Sequence, residues 1–236
     1  MYLNSSIKKY LKSYSINYLG FADLIPYQDE IIKSGGDIVC GYPVGISIGI
    51  ALLNSIVDQL PNRENQNVAC EYRIHAYDVI NQRLNIIASM LSGYLTQKGF
   101  KALPIAVADR SDIETATAPI SHKMIGHIAG LGWIGKNCLL ITANNGPRVR
   151  FISVLTNAPI KTVNNPIEQK CRDCMQCVEI CPTHSIKGRN FILGEEREER
   201  LNYKVCERYF DSMKEKQQYS VCGMCLYACP YGKKDK

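Results

Sequence analysis

The sequence predicts an α+β chain in two parts, and three observations lead to that prediction. Before residue 160, some segments place apolar residues at helical spacing, and others alternate apolar with small or polar residues. Two apolar, β-branched segments late in this region are separated by Asn144-Asn145-Gly146-Pro147, which is typical of a β-hairpin. Seven of the eleven cysteines then lie in two compact groups near the C-terminus. Helices mixed with adjacent strands favour α+β or mixed α/β over a purely parallel sheet.

The individual elements follow from the same patterns. Leu3, Ile7 and Leu11 share one face of a helix. Gly99 ends a long helix whose apolar residues keep to one side. The sequence predicts helices at 2–14, 52–60, 71–98 and 121–129, and strands at 16–21, 44–50, 101–107, 137–143 and 148–157.

One uncharged stretch, from Ile38 to Val57, is long enough to raise the question of a membrane span. Its glycines, Pro43 and polar residues suit a lipid-exposed helix poorly, and Val44 to Ile50 alternates as a buried strand does. Residues 1–12 are polar and lack the apolar core of a secretory signal. We therefore expect a soluble, cytoplasmic protein with no membrane partner.

The spacing of the cysteines indicates two iron–sulfur clusters. The first group reads Cys171-x-x-Cys174-x-x-Cys177-x-x-x-Cys181-Pro182, and the second reads Cys222-x-x-Cys225-x-x-x-Cys229-Pro230. This is the bacterial ferredoxin pattern for 4Fe–4S clusters, in which the sulfur of each Cys-Pro binds the other cluster. A disulfide framework fits less well, because disulfides need an oxidising compartment and the sequence shows no secretory signal. Zinc also fits less well, because zinc sites favour two separated C-x-x-C pairs, whereas this run places three thiolates within seven residues.

The same crossover rule assigns the ligands of each cluster. Cluster one is predicted to be held by Cys171, Cys174, Cys177 and Cys229. Cluster two lacks one ligand from the groups and takes Cys206, which lies between them; its predicted set is Cys181, Cys206, Cys222 and Cys225. Every cysteine after residue 170 is then used. We expect the remaining cysteines to be buried, reduced thiols: Cys40, Cys70 and Cys138.

Length and composition predict a cofactor and substrate domain at 1–164 and a double-cluster domain at 165–236. The net charge is +6, but no basic tail or dense basic stripe appears, so the nucleic-acid signal is weak. No acid lies between Glu114 and Glu168. The basic residues of that stretch indicate either a half-buried sheet or a site for an anionic ligand: Lys123, Lys136, Arg148, Arg150 and Lys161.

A glycine-rich turn reads Gly130-Leu-Gly-Trp-Ile-Gly135. It matches G-x-G-x-x-G, but the predicted helix precedes it and the predicted strand follows, which is the wrong order for a dinucleotide site. The glycines instead let backbone pass close to a large flat ligand or to a neighbouring helix. Trp133 within the turn belongs either to the core or to a ligand-stacking surface.

The run Ala129-Gly-Leu-Gly-Trp-Ile-Gly-Lys-Asn137, followed by the two cysteine groups, resembles epoxyqueuosine reductases and their shorter relatives, and more distantly the corrinoid-dependent reductive dehalogenases. The resemblance implies a nitroreductase-like α/β domain that binds cobalamin, followed by a ferredoxin-like domain with two 4Fe–4S clusters. Electrons would then pass through the clusters to cobalt. The expected cofactor contacts are Lys123, Gly130, Gly132, Trp133, Gly135, Lys136, Asn137, Arg148 and Arg150.

The chain also departs from that family. The family's aspartate general acid aligns with Ala116, and its Glu-Arg pair aligns with His122 and Lys123. We therefore predict His122 as the proton donor, since its ordinary pKa is near operating pH, with a surface histidine as the alternative. Lys123 is a second catalytic candidate or a contact to cofactor phosphate. If the alignment has a gap, the donor is instead one of Asp109, Asp112 and Glu114.

These observations order three candidate functions. The first is a cobalamin-dependent iron–sulfur reductase that acts on a small molecule or nucleoside. The second is an electron-transfer protein that reduces or handles cobalamin without an organic substrate. The third is tRNA epoxyqueuosine reduction, placed last because of Ala116 and because the sequence ends seven residues after Cys229. Expected partners are cobalamin and a low-potential donor such as ferredoxin or flavodoxin; tRNA is not expected.

Overall fold

The computed structural model describes residues 2–107 and 119–232. Its α-helices are α1 (Asn4–Leu11), α2 (Gln28–Gly35), α3 (Asn54–Val57), α4 (Gln66–Arg73), α5 (Ile80–Gln97), α6 (His122–Ile128), α7 (Gln176–Glu179), α8 (Tyr203–Glu215) and α9 (Met224–Tyr227). Its strands are β1 (Tyr18–Asp23), β2 (Val44–Ala51), β3 (Ala102–Ile105), β4 (Trp133–Ile134), β5 (Leu140–Ile141) and β6 (Val149–Thr156). Helices and strands are mixed, as the sequence predicts.

The chain forms two compact units, each built from several segments. Unit 1 comprises Met1–Ile50, Asn81–Leu131 and Arg150–Ile167. Unit 2 comprises Ala51–Ile80, Gly132–Val149 and Glu168–Lys236. The boundary predicted between residues 164 and 165 lies close to the last change of unit along the chain. Unit 2 also contains two earlier segments, and one of them holds most of the glycine-rich turn.

Unit 1 contains a four-stranded sheet in the order β1-β2-β6-β3. β1 and β2 are antiparallel, with Tyr18 opposite Gly49, and β3 and β6 are antiparallel, with Ala102 opposite Thr156. The two central strands, β2 and β6, are buried along nearly their whole length. The alternation in β2 reflects large residues on one face and small residues on the other.

The small residues of the sheet allow α6 to pack directly on it. A Cβ atom at Gly45 would lie 2.9 Å from Ile125 Cγ2, and one at Gly20 would lie 2.8 Å from Ala129 Cβ. Side chains at these positions would push the helix away. Ile125 and Ile128 of α6 instead join a buried core cluster that includes Leu24.

Two predicted elements differ from the structure. The long helix predicted at 71–98 is interrupted by a π-helical turn at Ile74–Val79, which separates α4 from α5. The hairpin predicted between 137–143 and 148–157 is wrong, because β5 pairs with β4 while β6 joins the large sheet. Residues 142–146 close on themselves instead, since the backbone N–H of Thr142 and that of Gly146 each donate to the other's carbonyl at 2.9 Å.

Three smaller expectations have mixed outcomes. Cys138 is buried, but Cys40 is exposed and Cys70 is partly exposed, so the prediction of buried thiols is wrong for those two. None of the eleven cysteines, all of which lie within the described residues, forms a disulfide. Within residues 2–107 and 119–232, no helix has both the length and the apolar character that a membrane span requires.

Candidate functional site

The first cysteine group of unit 2 folds into a tight loop followed by a short helix. The backbone N–H of Cys174 donates to the carbonyl of Cys171 at 2.8 Å, and Arg172 between them has a positive φ of 45°. Cys177 then lies within α7. The two-residue spacing of these cysteines therefore turns the chain back on itself within one loop, as a cluster-binding loop requires.

Four thiols surround one cavity in unit 2. The cavity is lined by Cys171, Cys174, Cys177 and Cys229, together with Lys136, Asn137, Ile141, Pro230 and Tyr231. These four cysteines are the set predicted for cluster one, and Cys229 comes from the second group in the sequence. The part of the chain that the structure describes has no group of three or more His, Cys, Asp or Glu side chains placed to hold a single metal ion.

The thiols around this cavity influence one another electrostatically. Burial, together with the neighbouring Cys171 and Cys174, raises the pKa of Cys177 to about 11, while its own backbone N–H and Lys136 oppose this rise. Burial likewise raises the pKa of Cys229 to about 12, against the Tyr231 backbone N–H, which lowers it. Without metal these thiols hold their protons, so iron would have to displace those protons when a cluster forms.

The cysteines predicted for cluster two also lie near one another. Burial raises the pKa of Cys225 far above its ordinary value, and the nearby thiols that add to this effect are Cys222, Cys177, Cys206 and Cys181. Gly223 between Cys222 and Cys225 has a φ of 68°, and a Cβ atom there would lie 2.8 Å from Leu60 Cδ1. Glycine is therefore needed for this turn. Helix α7, which contains Cys177, packs against α9, which contains Cys225, so the two thiol groups approach each other there.

Cys181 differs from the other buried thiols because it accepts several hydrogen bonds. Burial raises its pKa, but the Thr183 hydroxyl and the backbone N–H groups of Thr183, Ser185 and Ile186 outweigh burial and lower it overall. The Thr183 Oγ1 atom is 3.4 Å from Cys181 Sγ. Donors aimed at a sulfur stabilise its negative charge, and this raises the reduction potential of a cluster that the sulfur binds.

The glycine-rich turn packs against its own hairpin. A Cβ atom at Gly132 would lie 2.2 Å from the Ile141 carbonyl oxygen, and one at Gly135 would lie 2.9 Å from Ile141 Cγ1. Trp133 is 1% exposed, and its ring meets that of Tyr231 edge-on with centroids 4.7 Å apart. The close backbone approach that the sequence predicts at these glycines therefore occurs between β4 and β5.

The end of the turn reaches the cysteine loops. Asn137 Nδ2 donates to the Cys225 carbonyl at 3.1 Å, and Lys136 Nζ donates to Met175 Sδ at 3.5 Å. Both side chains are buried and line the four-thiol cavity. Sequence reasoning assigned both residues to a cobalamin site and missed their position beside the cysteines. Met175 lies inside the C-x-x-C-x-x-C run and is visible there in the sequence. Its contact with Lys136, 39 residues earlier, has no sequence signal.

Arg148 is 1% exposed and its charge is paired within unit 2. Its Nη1 atom lies 2.7 Å from Asp58 Oδ1 and donates to Asn54 Oδ1 at 2.9 Å. The remaining residues predicted to contact the cofactor, Lys123, Gly130 and Arg150, belong to unit 1 and are partly exposed. The predicted contact set is therefore divided between the two units.

His122 begins α6 in unit 1, after Ser121, whose side chain caps the helix. Its Nδ1 atom is 3.0 Å from Ser153 Oγ, and its Nε2 atom is 3.3 Å from the Ala106 carbonyl oxygen. A carbonyl only accepts, so Nε2–H donates to Ala106 and Nδ1 accepts from Ser153. Burial lowers the pKa of His122 to about 4, although the Ala106 carbonyl opposes this and Lys123 adds to it. Ala116, Asp109, Asp112 and Glu114 lie outside the described residues.

Comparison with known proteins now identifies the class of protein that these features define. Residues 170–232 match the family described as the 4Fe-4S double cluster binding domain. This match confirms the prediction of a double 4Fe–4S module at the C-terminal end, and the eight predicted ligand cysteines lie within it. The chain thus contains an iron–sulfur redox module.

The particular relatives are epoxyqueuosine reductases. Over 217 residues the chain is 26% identical to the epoxyqueuosine reductase of Listeria monocytogenes, covering 88% of this chain and 51% of that protein. A crystal structure of epoxyqueuosine reductase with a tRNA-Tyr epoxyqueuosine-modified tRNA stem loop matches with a TM-score of 0.61 and 17% identity, covering 98% of this chain and 65% of that one. The chain therefore spans about half to two thirds of these relatives, and the predicted resemblance is confirmed.

A reductive dehalogenase shares the fold as well. Its structure, described as suggesting a mechanism for B12-dependent dehalogenation, matches with a TM-score of 0.70 and 17% identity, covering 98% of this chain and 31% of that one. The mixed α/β fold class is thereby confirmed, and the reductase names of the curated relatives agree with the prediction of an oxidoreductase.

The same comparisons correct two predictions. The curated relatives are named epoxyqueuosine reductase, so placing a small-molecule reductase first and an electron-transfer protein second is wrong, and the third candidate is the one they support. Leaving out tRNA as a partner is also wrong, since a similar chain is solved with a tRNA stem loop. That expectation rested on Ala116, on the short segment after Cys229 and on the weak basic pattern along the sequence.

Proposed function

We propose that this chain is an iron–sulfur reductase that reduces epoxyqueuosine in tRNA. The observation that carries the proposal is the four-thiol cavity of unit 2, beside a turn and cysteine groups that resemble those of epoxyqueuosine reductases. Reduction of an epoxide to an alkene consumes two electrons and two protons and releases water. A pair of one-electron clusters is suited to deliver those electrons in sequence.

The proposed ligand sets follow the crossover between the two cysteine groups. Cluster one is held by Cys171, Cys174, Cys177 and Cys229, which line one cavity. Cluster two is held by Cys181, Cys206, Cys222 and Cys225. Support comes from Cys225, whose pKa is raised by burial and also by the other three thiols. Electrons pass between the clusters where Cys177 approaches Cys225, since that is where the two thiol groups meet.

We propose cobalamin as the group that the clusters reduce, bound by a nitroreductase-like unit 1. Support comes from the shared fold with a reductase described as B12-dependent. A corrinoid, when bound, supplies a low-valent cobalt as the reductant. The buried residues of the turn in unit 2 offer it little surface, so the contacts fall to Lys123, Gly130 and Arg150, which are partly exposed. Loss of cob(II)alamin binding in a Lys123→Ala and Arg150→Ala double variant would support these contacts.

A basic face on unit 1 supports tRNA as the substrate carrier. Lys8, Lys9 and Lys12 of the N-terminal helical segment are exposed, and no acid occurs before Asp23. Tyr10 of α1 stacks on Tyr94 of α5 with ring centroids 4.4 Å apart.

The basic face continues beyond the N-terminal segment. Lys98 Nζ lies 5.0 Å from the Tyr94 ring centroid, and no acid occurs between Asp78 and Asp109. Exposed lysines beside aromatic rings, with no carboxylate in either segment, are suited to a phosphate backbone.

We propose that His122 orients α6 rather than releasing a proton. Its ring bridges the Ser153 hydroxyl and the Ala106 carbonyl, and with a pKa of about 4 it is neutral at physiological pH. Its predicted catalytic role is tested by His122→Asn. An unchanged rate of tRNA product formation in this variant would remove His122 as the proton donor.

The experiment that tests the function uses anaerobically purified protein. Iron and sulfide are counted, and about eight irons per chain are expected for two cubanes. The protein is then incubated with cobalamin, a low-potential reductant and epoxyqueuosine-containing tRNA, and the nucleosides are analysed by mass spectrometry. Loss of one oxygen atom from the modified nucleoside supports the proposal. An unchanged nucleoside with both clusters assembled and cobalamin reduced would overturn it.

A further inference from the structure

Lys136 is a buried cation for which residues 2–107 and 119–232 supply no carboxylate partner. Its side chain is 5% exposed, and its ammonium donates to the thioether of Met175 at 3.5 Å. The cavity that it lines contains four thiols and no acidic side chain. A thioether is a weak acceptor and carries no charge, so it cannot compensate a buried positive charge.

The other buried cations of unit 2 show what such a charge ordinarily needs. Arg148 lies 2.7 Å from a carboxylate oxygen of Asp58, and Arg200 lies 3.7 Å from one of Glu195. Burying a charge without a partner costs several kcal/mol. The group that Lys136 faces should therefore be an anion that the side chains themselves do not supply.

A 4Fe–4S cluster held by four thiolates is such an anion. It carries net negative charge in both oxidation states, and one-electron reduction adds a further negative charge. A cation beside the cluster stabilises the reduced state more than the oxidised state, and net charge near a cluster is one of the factors that set its potential. Lys136 lines the same cavity as the four thiols, so its charge lies beside the ligands of the cluster that would occupy it.

We infer that Lys136 tunes cluster one: its buried ammonium raises the reduction potential of the cluster held by Cys171, Cys174, Cys177 and Cys229. The inference depends on the proposed clusters and goes beyond them. It assigns Lys136, predicted to contact cobalamin, to the electron-transfer step instead. Cluster one thereby accepts an electron more readily than its four thiolates alone would allow.

The test is an EPR-monitored redox titration of the anaerobic holoprotein. Lys136→Met keeps most of the side-chain volume and removes the charge. We expect one of the two reduction steps to shift downward by at least a tenfold change in its equilibrium constant, which is 59 mV for a one-electron couple. Lys136→Arg keeps the charge and should restore the step to within a small part of that shift.

Lys170→Met is the matched control. It also removes a lysine charge from unit 2, adjacent in sequence to Cys171, but this lysine is exposed and lies 5.8 Å from the Trp133 ring centroid. Solvent screens an exposed charge, so its removal should shift the same step by much less than Lys136→Met does.

Each result separates the inference from the proposed function. Equal midpoints for wild type and Lys136→Met, with both clusters present, would overturn the inference and leave the reductase proposal standing. Should Lys136→Met and Lys136→Gln both lose iron while Lys136→Arg keeps it, Lys136 serves cluster assembly and the tuning claim is wrong. Wild-type protein without iron–sulfur signals would contradict the proposed function itself.

Discussion

The two units differ in the kind of polar group that they bury. Among the described residues, the buried polar side chains of unit 1 are the hydroxyls of Ser47, Ser92, Ser153 and Thr156, whereas unit 2 buries three cations, Lys136, Arg148 and Arg200. A hydroxyl is satisfied by one backbone carbonyl, but a buried cation needs an anion. Unit 2 therefore needs anions to compensate its buried cations. Unit 1 has no buried Lys, Arg, Asp or Glu side chain among the described residues.

The largest effect expected from this comparison concerns the thiolates of unit 2. Cys225→Ala removes a ligand whose thiol is partly buried, and it should abolish one of the two cubanes. The iron and sulfide content per chain should then fall by about half. Cys206→Ala repeats the test for the ligand outside the two motifs. Cys40→Ala, an exposed thiol of unit 1, is the control and should leave both counts unchanged; full iron in Cys225→Ala would contradict the assignment.

The double-cluster domain could be predicted from sequence because cluster chemistry fixes the spacing of its cysteines. Short C-x-x-C loops must turn back on themselves. The residues that allow the turn are neighbours in the sequence, as Cys222 and Gly223 are. Strand β2 could be predicted for a similar reason. Its isoleucines alternate with Gly45, Ser47 and Gly49, which indicates a strand with large residues on one face and small residues on the other.

What surrounds the cysteines could not be predicted, because it depends on contacts distant in sequence. Lys136 meets Met175 across 39 residues, and Arg148 meets Asn54 across 94. The hairpin error has a similar origin. The Asn-Gly turn at 144–147 is a true turn, but Leu140 and Ile141 find their partners earlier in the chain, at Trp133 and Ile134.

Acid should destabilise unit 1 through His122. Its folded pKa of about 4 is below its ordinary value of 6.5, so the unfolded chain binds the proton more readily. The stabilisation is therefore complete above pH 6.5 and is lost as the pH falls towards 4, by about 3 kcal/mol at most. Protonation would give unit 1 a buried charge that it otherwise lacks.

The measurement is urea unfolding followed by far-UV circular dichroism at several pH values. The free energy of unfolding of the wild type should fall more steeply between pH 6.5 and 4 than that of His122→Asn, which has no titrating ring. The difference between the two proteins removes the contribution of the carboxylates. Parallel pH profiles would show that the imidazole is not the group that resists protonation.

A buried cation of unit 2 should become costly once its carboxylate is removed. Asp58→Asn leaves Arg148 with the amide of Asn54 and no anion, and we expect a loss of about 2 kcal/mol, less than for a fully buried pair because half of the Asp58 side chain is exposed. Asp78→Asn is the matched control, since Asp78 pairs with Arg73 at the surface and should change stability by about 0.5 kcal/mol or less.

Trp133, the sole tryptophan, makes this comparison measurable within unit 2. Anaerobic urea unfolding followed by its fluorescence gives the free energy of unfolding of both variants. A loss in Asp58→Asn no larger than that in Asp78→Asn would mean that the buried guanidinium does not depend on its carboxylate. The contrast between the units would then rest on Lys136 and Arg200.

The smallest expected effect concerns the surface charge of unit 1. Replacing Lys8, Lys9 and Lys12 by glutamine should weaken binding of tRNA about tenfold near physiological salt and reduce the slope of log affinity against log salt by about 2. Lys33→Gln, on α2 beside the acidic residues Asp29 and Glu30, is the control and should change neither quantity.

Cluster content and cobalamin reduction should remain at wild-type levels in the triple variant, because its lysines are remote in sequence from every cysteine of unit 2. Fluorescence anisotropy with a labelled anticodon stem loop at several salt concentrations measures both quantities. An unchanged salt slope would place the phosphate contacts elsewhere and leave the basic face of unit 1 as a solvated surface.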